Sequence, residues 1–109
     1  MADTQKVLAQ ALPAPGVLTD FYTVPAATSA IVASLVVCNQ SAVDVTFRIA
    51  VAIAGAADTP AQYLYYDTKV TVNNSFVATI GGTLATTDKI RVQSNSNAVS
   101  FNAFGIEVT

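Results

Sequence analysis

Strict alternation of apolar with small or polar residues is the feature that most constrains this chain. In Val45–Ile53 ("VTFRIAVAI") the odd positions are all Val, Phe or Ile, whereas the even positions are Thr, Arg or Ala. Successive side chains of a β-strand point to opposite faces, so this period of two predicts a strand with one face in a core. No segment keeps a helical period of 3.6 residues over three turns. The sequence therefore predicts an all-β chain without a substantial helix.

Short strand-like segments separated by turn residues occupy the whole chain. They are predicted over residues 6–12, 17–24, 29–39, 45–53, 63–67, 76–80, 89–93 and 98–109. Turn residues at this spacing are typical of a sandwich or a jelly roll. We therefore predict a single antiparallel, jelly-roll-like β-sandwich over residues 13–109. Residues 1–12 form a short N-terminal arm or edge strand, because the prolines of "PAPG" at 13–16 cannot donate to a strand ladder.

The last predicted strand changes the phase of its alternation. Apolar residues occupy odd positions up to Phe101 and even positions from Phe104 onward. A slip of one residue moves every following side chain to the opposite face. A β-bulge at Asn102 and Ala103, close to Gly105, would restore the register. The alternative is that both faces of this strand are covered.

This chain has few charged residues to make its surface hydrophilic. Charged residues make up 11% of it, against about one-quarter in a typical soluble domain. We therefore expect partner chains to cover part of the surface, including Ala50 and Ala52 on the even face of the strand at 45–53, although a second sheet could also cover them. Val7, Leu8 and Leu12 are too apolar for a solvated arm. The arm is expected to cross to a neighbouring chain, or otherwise to add as an edge strand to its own sandwich.

Three tyrosines, Tyr63, Tyr65 and Tyr66, lie close together in one predicted strand. They can pack at the edge of the core with their hydroxyls in water. They can lie at a protein interface, where tyrosine is enriched, and Tyr63 and Tyr65 are our candidates for that role. They can also stack on a sugar ring.

The residue types present argue against catalysis and against a bound metal. The chain has no His and a single Cys, Cys38. A Ser–His–Asp arrangement and the usual zinc sites are therefore excluded. Carboxylates such as Asp58 and Asp67 lie beside turns, where Asp commonly closes the backbone. We predict that the chain is not an enzyme, and that it has no catalytic residues, cofactor or metal.

Nucleic acid and membrane are also not expected as partners. The five Lys and Arg residues are scattered along the chain and form no basic run, so a surface that follows a phosphate backbone is not predicted. The longest apolar run, "AIVASLVVC", is far shorter than the roughly 20 residues that span a bilayer.

Three segments together resemble a group of small virion proteins of tailed bacteriophages. They are "SLVVCNQSAVDVTFRIAVAIAGA", "YLYYD" and "TLATTDKIRVQSNSNAVSFNAFGIEVT". The shared pattern is one of strands and turns over about residues 28–108, and it carries no binding residue. The resemblance implies a β-sandwich subunit of a phage particle, either a head decoration (cement) protein or a tail accessory protein.

This resemblance sets the expected function, location and partners. A head decoration protein would pack on the capsid and stabilise it, with itself, as a homo-oligomer such as a trimer, and the major capsid protein as partners. It would be synthesised in the cytoplasm of the host bacterium and reside in the virion. One alternative is a structural protein of the tail, baseplate or fibre. A second is a carbohydrate- or receptor-binding module.

Overall fold

The computed structural model describes residues 2–109 of the chain. Within that range it contains eight β-strands and two short 3₁₀ turns. The strands are β1 (Asp3–Ala11), β2 (Thr19–Thr23), β3 (Ser29–Asn39), β4 (Val45–Ala52), β5 (Tyr63–Val70), β6 (Ser75–Leu84), β7 (Lys89–Ser94) and β8 (Val99–Val108). The two 3₁₀ turns, Ile53–Gly55 and Pro60–Gln62, both lie in the connection between β4 and β5.

The strands form two antiparallel sheets of four strands each. The first sheet has the order β1-β8-β3-β6, and the second has the order β2-β7-β4-β5. Consecutive strands lie in opposite sheets at every step except from β4 to β5. This arrangement is the eight-stranded jelly roll, a fold used by both viral capsid domains and lectins. The predicted all-β, antiparallel sandwich of the jelly-roll type is confirmed.

The core lies between the two sheets and is centred on Phe47 of β4. Its ring centroid is 5.4 Å from that of Phe76 and 6.3 Å from that of Phe101, both in the first sheet. Tyr65 of β5 lies 5.9 Å away in the second sheet. Phe47 is 1% exposed. The inward face predicted from the alternation in β4 is therefore the face that joins the two sheets.

The bulge expected at Asn102 and Ala103 is not in β8. That strand continues without an inserted residue, so that Ala103 stays buried and Phe104 turns to the outer face. The residues left without a partner are instead in the neighbouring strands, at Leu8 of β1 and Ala33 of β3. The apolar even positions of β8 therefore form a second, outward-facing apolar surface.

Gly105 allows the backbones of β8 and β3 to pack closely beside these irregularities. A β-carbon at position 105 would lie 2.1 Å from the carbonyl oxygen of Ile31 and 2.9 Å from Cδ1 of Leu8. No side chain can be accepted at such distances unless the backbone moves. The glycine therefore permits a close approach of two strands and does not mark a bulge of its own.

The N-terminal segment forms an edge strand of its own sandwich. β1 pairs with β8 along its length, and Leu8 is only 9% exposed and belongs to the core. Of the two fates expected for residues 1–12, the single chain therefore shows the edge strand. Crossing of this strand to a neighbouring chain stays a prediction. Met1 lies outside the described residues.

One hydrogen bond ties the two sheets together beside β1. The hydroxyl of Tyr22, in β2, donates to Oε2 of Glu107, in β8, at 2.5 Å. Nζ of Lys6 lies 3.1 Å from the other carboxylate oxygen. The hydrogen bond from Tyr22, followed by the charge of Lys6, holds the pKa of Glu107 below its usual value. Glu107 is therefore an ionised acceptor that joins β1, β2 and β8.

The replacement Phe47→Ala tests the position of the core. It should lower the free energy of unfolding by about 3–5 kcal/mol, because it removes a ring packed on all sides and leaves a cavity. Urea denaturation followed by far-UV circular dichroism measures this change. The exposed Val77→Ala, as control, should change stability by less than about 0.5 kcal/mol. A comparably small loss for Phe47→Ala would contradict the assigned core.

The replacement Gly105→Ala tests the close approach of β8 and β3. It should destabilise the fold by about 2–3 kcal/mol, because the added methyl group overlaps a backbone oxygen that cannot move alone. Gly82→Ala is the matched control, since its β-carbon would meet only a side-chain methyl of Ile80 at 3.3 Å. Equal denaturation midpoints for the two variants would show that the two backbones are farther apart than described.

Candidate functional site

The alanine face of β4 is covered by the chain itself. Ala50 and Ala52 are 0% exposed, yet they lie on the side of the second sheet away from the core. These two alanines are covered by residues 53–62, which we call the covering loop, and by the long side chains of β7. The expectation that Ala50 and Ala52 contact another chain is wrong, because no surface is left there for a partner.

Arg91 of β7 fastens the covering loop. It pairs in register with Ala50 and donates from Nη1 to the carbonyl oxygen of Ala56 at 2.7 Å and from Nη2 to that of Gly55 at 3.1 Å. Its Nε donates to Oδ1 of Asp20 at 2.8 Å. These charge-assisted bonds satisfy loop carbonyls that have no strand partner. Arg91 thus fixes the covering loop, together with Asp88, which accepts from the amide of Ala54 at 2.9 Å.

The covering loop should loosen in Arg91→Ala. The free energy of unfolding should fall by about 1–3 kcal/mol, since two loop carbonyls lose a charged donor. Hydrogen exchange of the amides in residues 53–62 should become faster than in the parent protein. The control is Lys69→Ala, because the pair of Lys69 with Asp44 is well exposed and contributes little. Unchanged exchange in Arg91→Ala would show that another group holds the loop.

The opposite side of the molecule carries an apolar surface that no other part of residues 2–109 covers. On the first sheet, Val7 is 44% exposed, Phe104 40% and Ile31 38%. Register places Val7 opposite Phe104. Val7, Phe104, Ile106 and Ala33 border an open groove of about 490 Å³, and Ile31 lies opposite Ile106. We call these five residues the apolar outer face.

The three apolar residues predicted for the arm lie in different environments in the structure. Val7 belongs to the apolar outer face, and Leu12, 59% exposed, lies just beyond β1. Leu8, which was a candidate contact of the arm with a neighbouring chain, points into the core of its own sandwich beside the bulge in β1, as the edge-strand alternative requires. Phe104 and Ile31 were not recognised from the sequence, although the phase change in β8 was the pattern that could have identified Phe104.

Two bulges in β5 divide the tyrosines between the faces of the second sheet. β5 has one more residue than β4 between its pairs at two places, at Leu64 and at Tyr66–Asp67. Tyr65 consequently packs inward, on Phe47. Tyr63 and Tyr66 both lie on the outer face, with ring centroids 5.1 Å apart and planes at 88°. Simple alternation would instead have put residues 63 and 65 together.

Charged groups hold the outer pair of tyrosines in place. The guanidinium carbon of Arg48 lies 3.9 Å from the ring centroid of Tyr66. Nε and Nη2 of Arg48 donate to the two oxygens of Asp67 at 2.7 and 3.1 Å, and this hydrogen bonding lowers the pKa of Asp67. The hydroxyl of Tyr63 donates to Oδ2 of Asp58 at 3.0 Å, while burial and then this bond raise the pKa of Tyr63.

These groups border an open cleft of about 480 Å³, which we call the tyrosine cleft. Its lining residues are Arg48, Asp58, Thr59, Pro60, Tyr63 and Tyr66. One wall comes from the covering loop, where Thr59 and Gln62 cap the 3₁₀ turn at Pro60–Gln62. Arg48 and Asp58 had no predicted part in a shared site, because only the bulges and the loop bring them together.

Neither a metal cluster nor a membrane-spanning helix is found in residues 2–109. In that part of the chain, no three His, Cys, Asp or Glu side chains are close enough to hold a metal ion. Within the same residues, no helix has the length and apolar character needed to cross a membrane.

Comparisons with known proteins give no family for this chain. Neither a protein-family model nor a curated protein sequence matches it. Among solved structures, it is similar to a chain described as "Structure of infectious bursal disease virus Gt strain", with a TM-score of 0.49 and 9% sequence identity. The match covers 96% of this chain and 31% of that one, so this chain spans about a third of its length. The fold assignment depends on the strand order and not on this match.

Proposed function

We propose that the chain is a non-enzymatic structural subunit of a bacteriophage particle, and that it is a head decoration (cement) protein. The observation that carries the proposal is the apolar outer face, an exposed group of large apolar side chains on a charge-poor protein. Contiguous exposed apolar surface on a soluble domain typically marks a contact with another protein. Packing this face on the capsid would remove it from water and add to the stability of the shell.

The shape of the molecule supports this kind of attachment. It measures 45 × 28 × 19 Å, so each sheet presents a broad face. A stable contact buries roughly 800 Å² on each partner, and the whole chain exposes 5534 Å². One sheet face can supply that area. The aromatic ring of Phe104 would then be the central contact, since buried aromatic residues commonly contribute most to an interface.

The resemblance of residues 28–108 to small tailed-phage virion proteins supports the same function. Within this proposal the major capsid protein is the main partner, and the subunit forms homotrimers at threefold positions of the shell. The virion is its location, after synthesis in the host cytoplasm. The same apolar face could attach the subunit to a tail, baseplate or fibre, so the experiment must separate head from tail.

Binding to purified phage parts tests the proposal. The protein should co-sediment with empty shells of the phage that encodes it and not with isolated tails. The double variant Val7→Ser, Phe104→Ser should bind at least about tenfold more weakly, equivalent to about 1.4 kcal/mol. Val43→Ser is the matched control, because Val43 is 62% exposed in the connection between β3 and β4, outside the face of the first sheet.

The possible outcomes separate the candidates. Binding to tails alone would replace the head assignment with a tail component. Binding to neither particle part would overturn the structural role. Circular dichroism must show that the double variant is folded, which is expected because both positions are exposed. Sedimentation velocity at micromolar concentration tests the trimer, and a single 11 kDa species would exclude a trimer formed off the particle.

A further inference from the structure

We propose that the tyrosine cleft is a binding site for a neutral saccharide. The site lies on the second sheet and shares no residue with the apolar outer face, so this proposal is independent of the attachment to a particle. Four features of the cleft carry it: exposed aromatic surface, unused polar atoms, its charge and the contacts that position its side chains.

The aromatic surface suits the apolar side of a sugar ring. Tyr66 is 59% exposed, and Tyr63, which meets it at 88°, is partly exposed. The face of an aromatic ring is electron-rich, and the C–H groups on one side of a pyranose carry a small positive charge. Because Arg48 covers one face of the Tyr66 ring, a sugar ring would lie against the other face, with its hydroxyls at the open rim of the cleft.

Polar groups around the rings can reach those hydroxyls. Tyr63 uses only Oδ2 of Asp58, and Oδ1 makes no hydrogen bond to any residue in the range 2–109. Asp67 takes two of the five N–H donors of Arg48. An aromatic floor with a few convergent donors and acceptors is the usual composition of a small-ligand site.

The charge of the cleft selects against acidic ligands. Arg48 and Asp58 are the charged residues among those that line the cleft, and Asp67 lies beside Arg48 without being part of the lining. Asp67 already pairs with Arg48 through two hydrogen bonds. An anionic sugar would have to displace Asp67 and approach Asp58, whereas a neutral sugar meets neither cost.

Contacts within the chain also position the side chains of the cleft. Asp67 has a φ of 51° in the second bulge of β5, a left-handed conformation unusual for a residue other than glycine. Bulges are frequent beside functional sites, because they re-aim side chains. Here the bulge places Tyr66 and Asp67 on either side of Arg48. Such pre-organisation lowers the entropy that binding must overcome.

A glycan array probed with multivalent protein tests the inference. The biotinylated chain, displayed on streptavidin to gain avidity, is applied to neutral and sialylated glycans. We expect binding to a subset of neutral glycans. Tyr66→Ala should reduce that signal at least about tenfold, the usual cost of removing a tyrosine at the centre of a contact. Tyr66→Phe, which keeps the ring, should retain most of it.

The control is Leu64→Ala, an exposed position on the same strand outside the cleft, and it should bind as the parent does. Circular dichroism confirms that each variant is folded, and Tyr63→Ala provides a second test of the cleft. The inference is overturned if the multivalent protein binds no neutral glycan, if it binds sialylated glycans only, or if folded Tyr66→Ala binds unchanged. Loss of shell binding in the Val7, Phe104 double variant would have no bearing on these outcomes.

Discussion

The packing of Phe47 against aromatic rings of the opposite sheet is the contact on which the rest of the fold depends. Phe47 belongs to β4, and its closest aromatic partners, Phe76 and Phe101, belong to the first sheet. A sandwich of this size has one core, so the two sheets must meet through a few large side chains. Tyr65 completes the cluster from β5. The bulges in β5 separate it from Tyr63, which lies on the outer face.

Much of this fold could be predicted from local pattern, because each strand shows its period of two within a few residues. The strands, the sandwich and the inward face of β4 follow from that pattern alone. The cover over Ala50 could not, since it depends on Arg91 bonding to a loop about 35 positions away. Phase changes were visible in β8, but the extra residues lie in β1 and β3, its partners in the sheet. A pattern within one strand cannot show which strand of a pair holds the insertion.

The candidate surfaces were harder to predict than the fold, because they too depend on contacts between residues that are distant in the sequence. Tyr63 and Tyr66 share a face only because β5 bulges twice against β4. Their neighbours in the cleft come from a separate strand and from the covering loop. Of the expected interface residues, Val7 and Leu12 are exposed, whereas Leu8 and the two alanines are enclosed by the chain. From the sequence alone, small apolar residues that are buried under a loop of the same chain cannot be distinguished from residues of an interface.

The few charges of this chain are used to hold parts of the domain together. All five basic side chains form ion pairs, and Asp20 pairs with both Lys89 and Arg91. Most of these pairs lie on the second sheet, where they fasten the covering loop and the tyrosine cleft. On the first sheet, the pair of Lys6 with Glu107 lies beside the apolar outer face. The domain is therefore two-sided, with a polar, pre-organised face opposite an apolar one. A subunit attached by its first sheet would turn the tyrosine cleft away from the particle and into solvent, where a soluble or surface-bound saccharide can reach it.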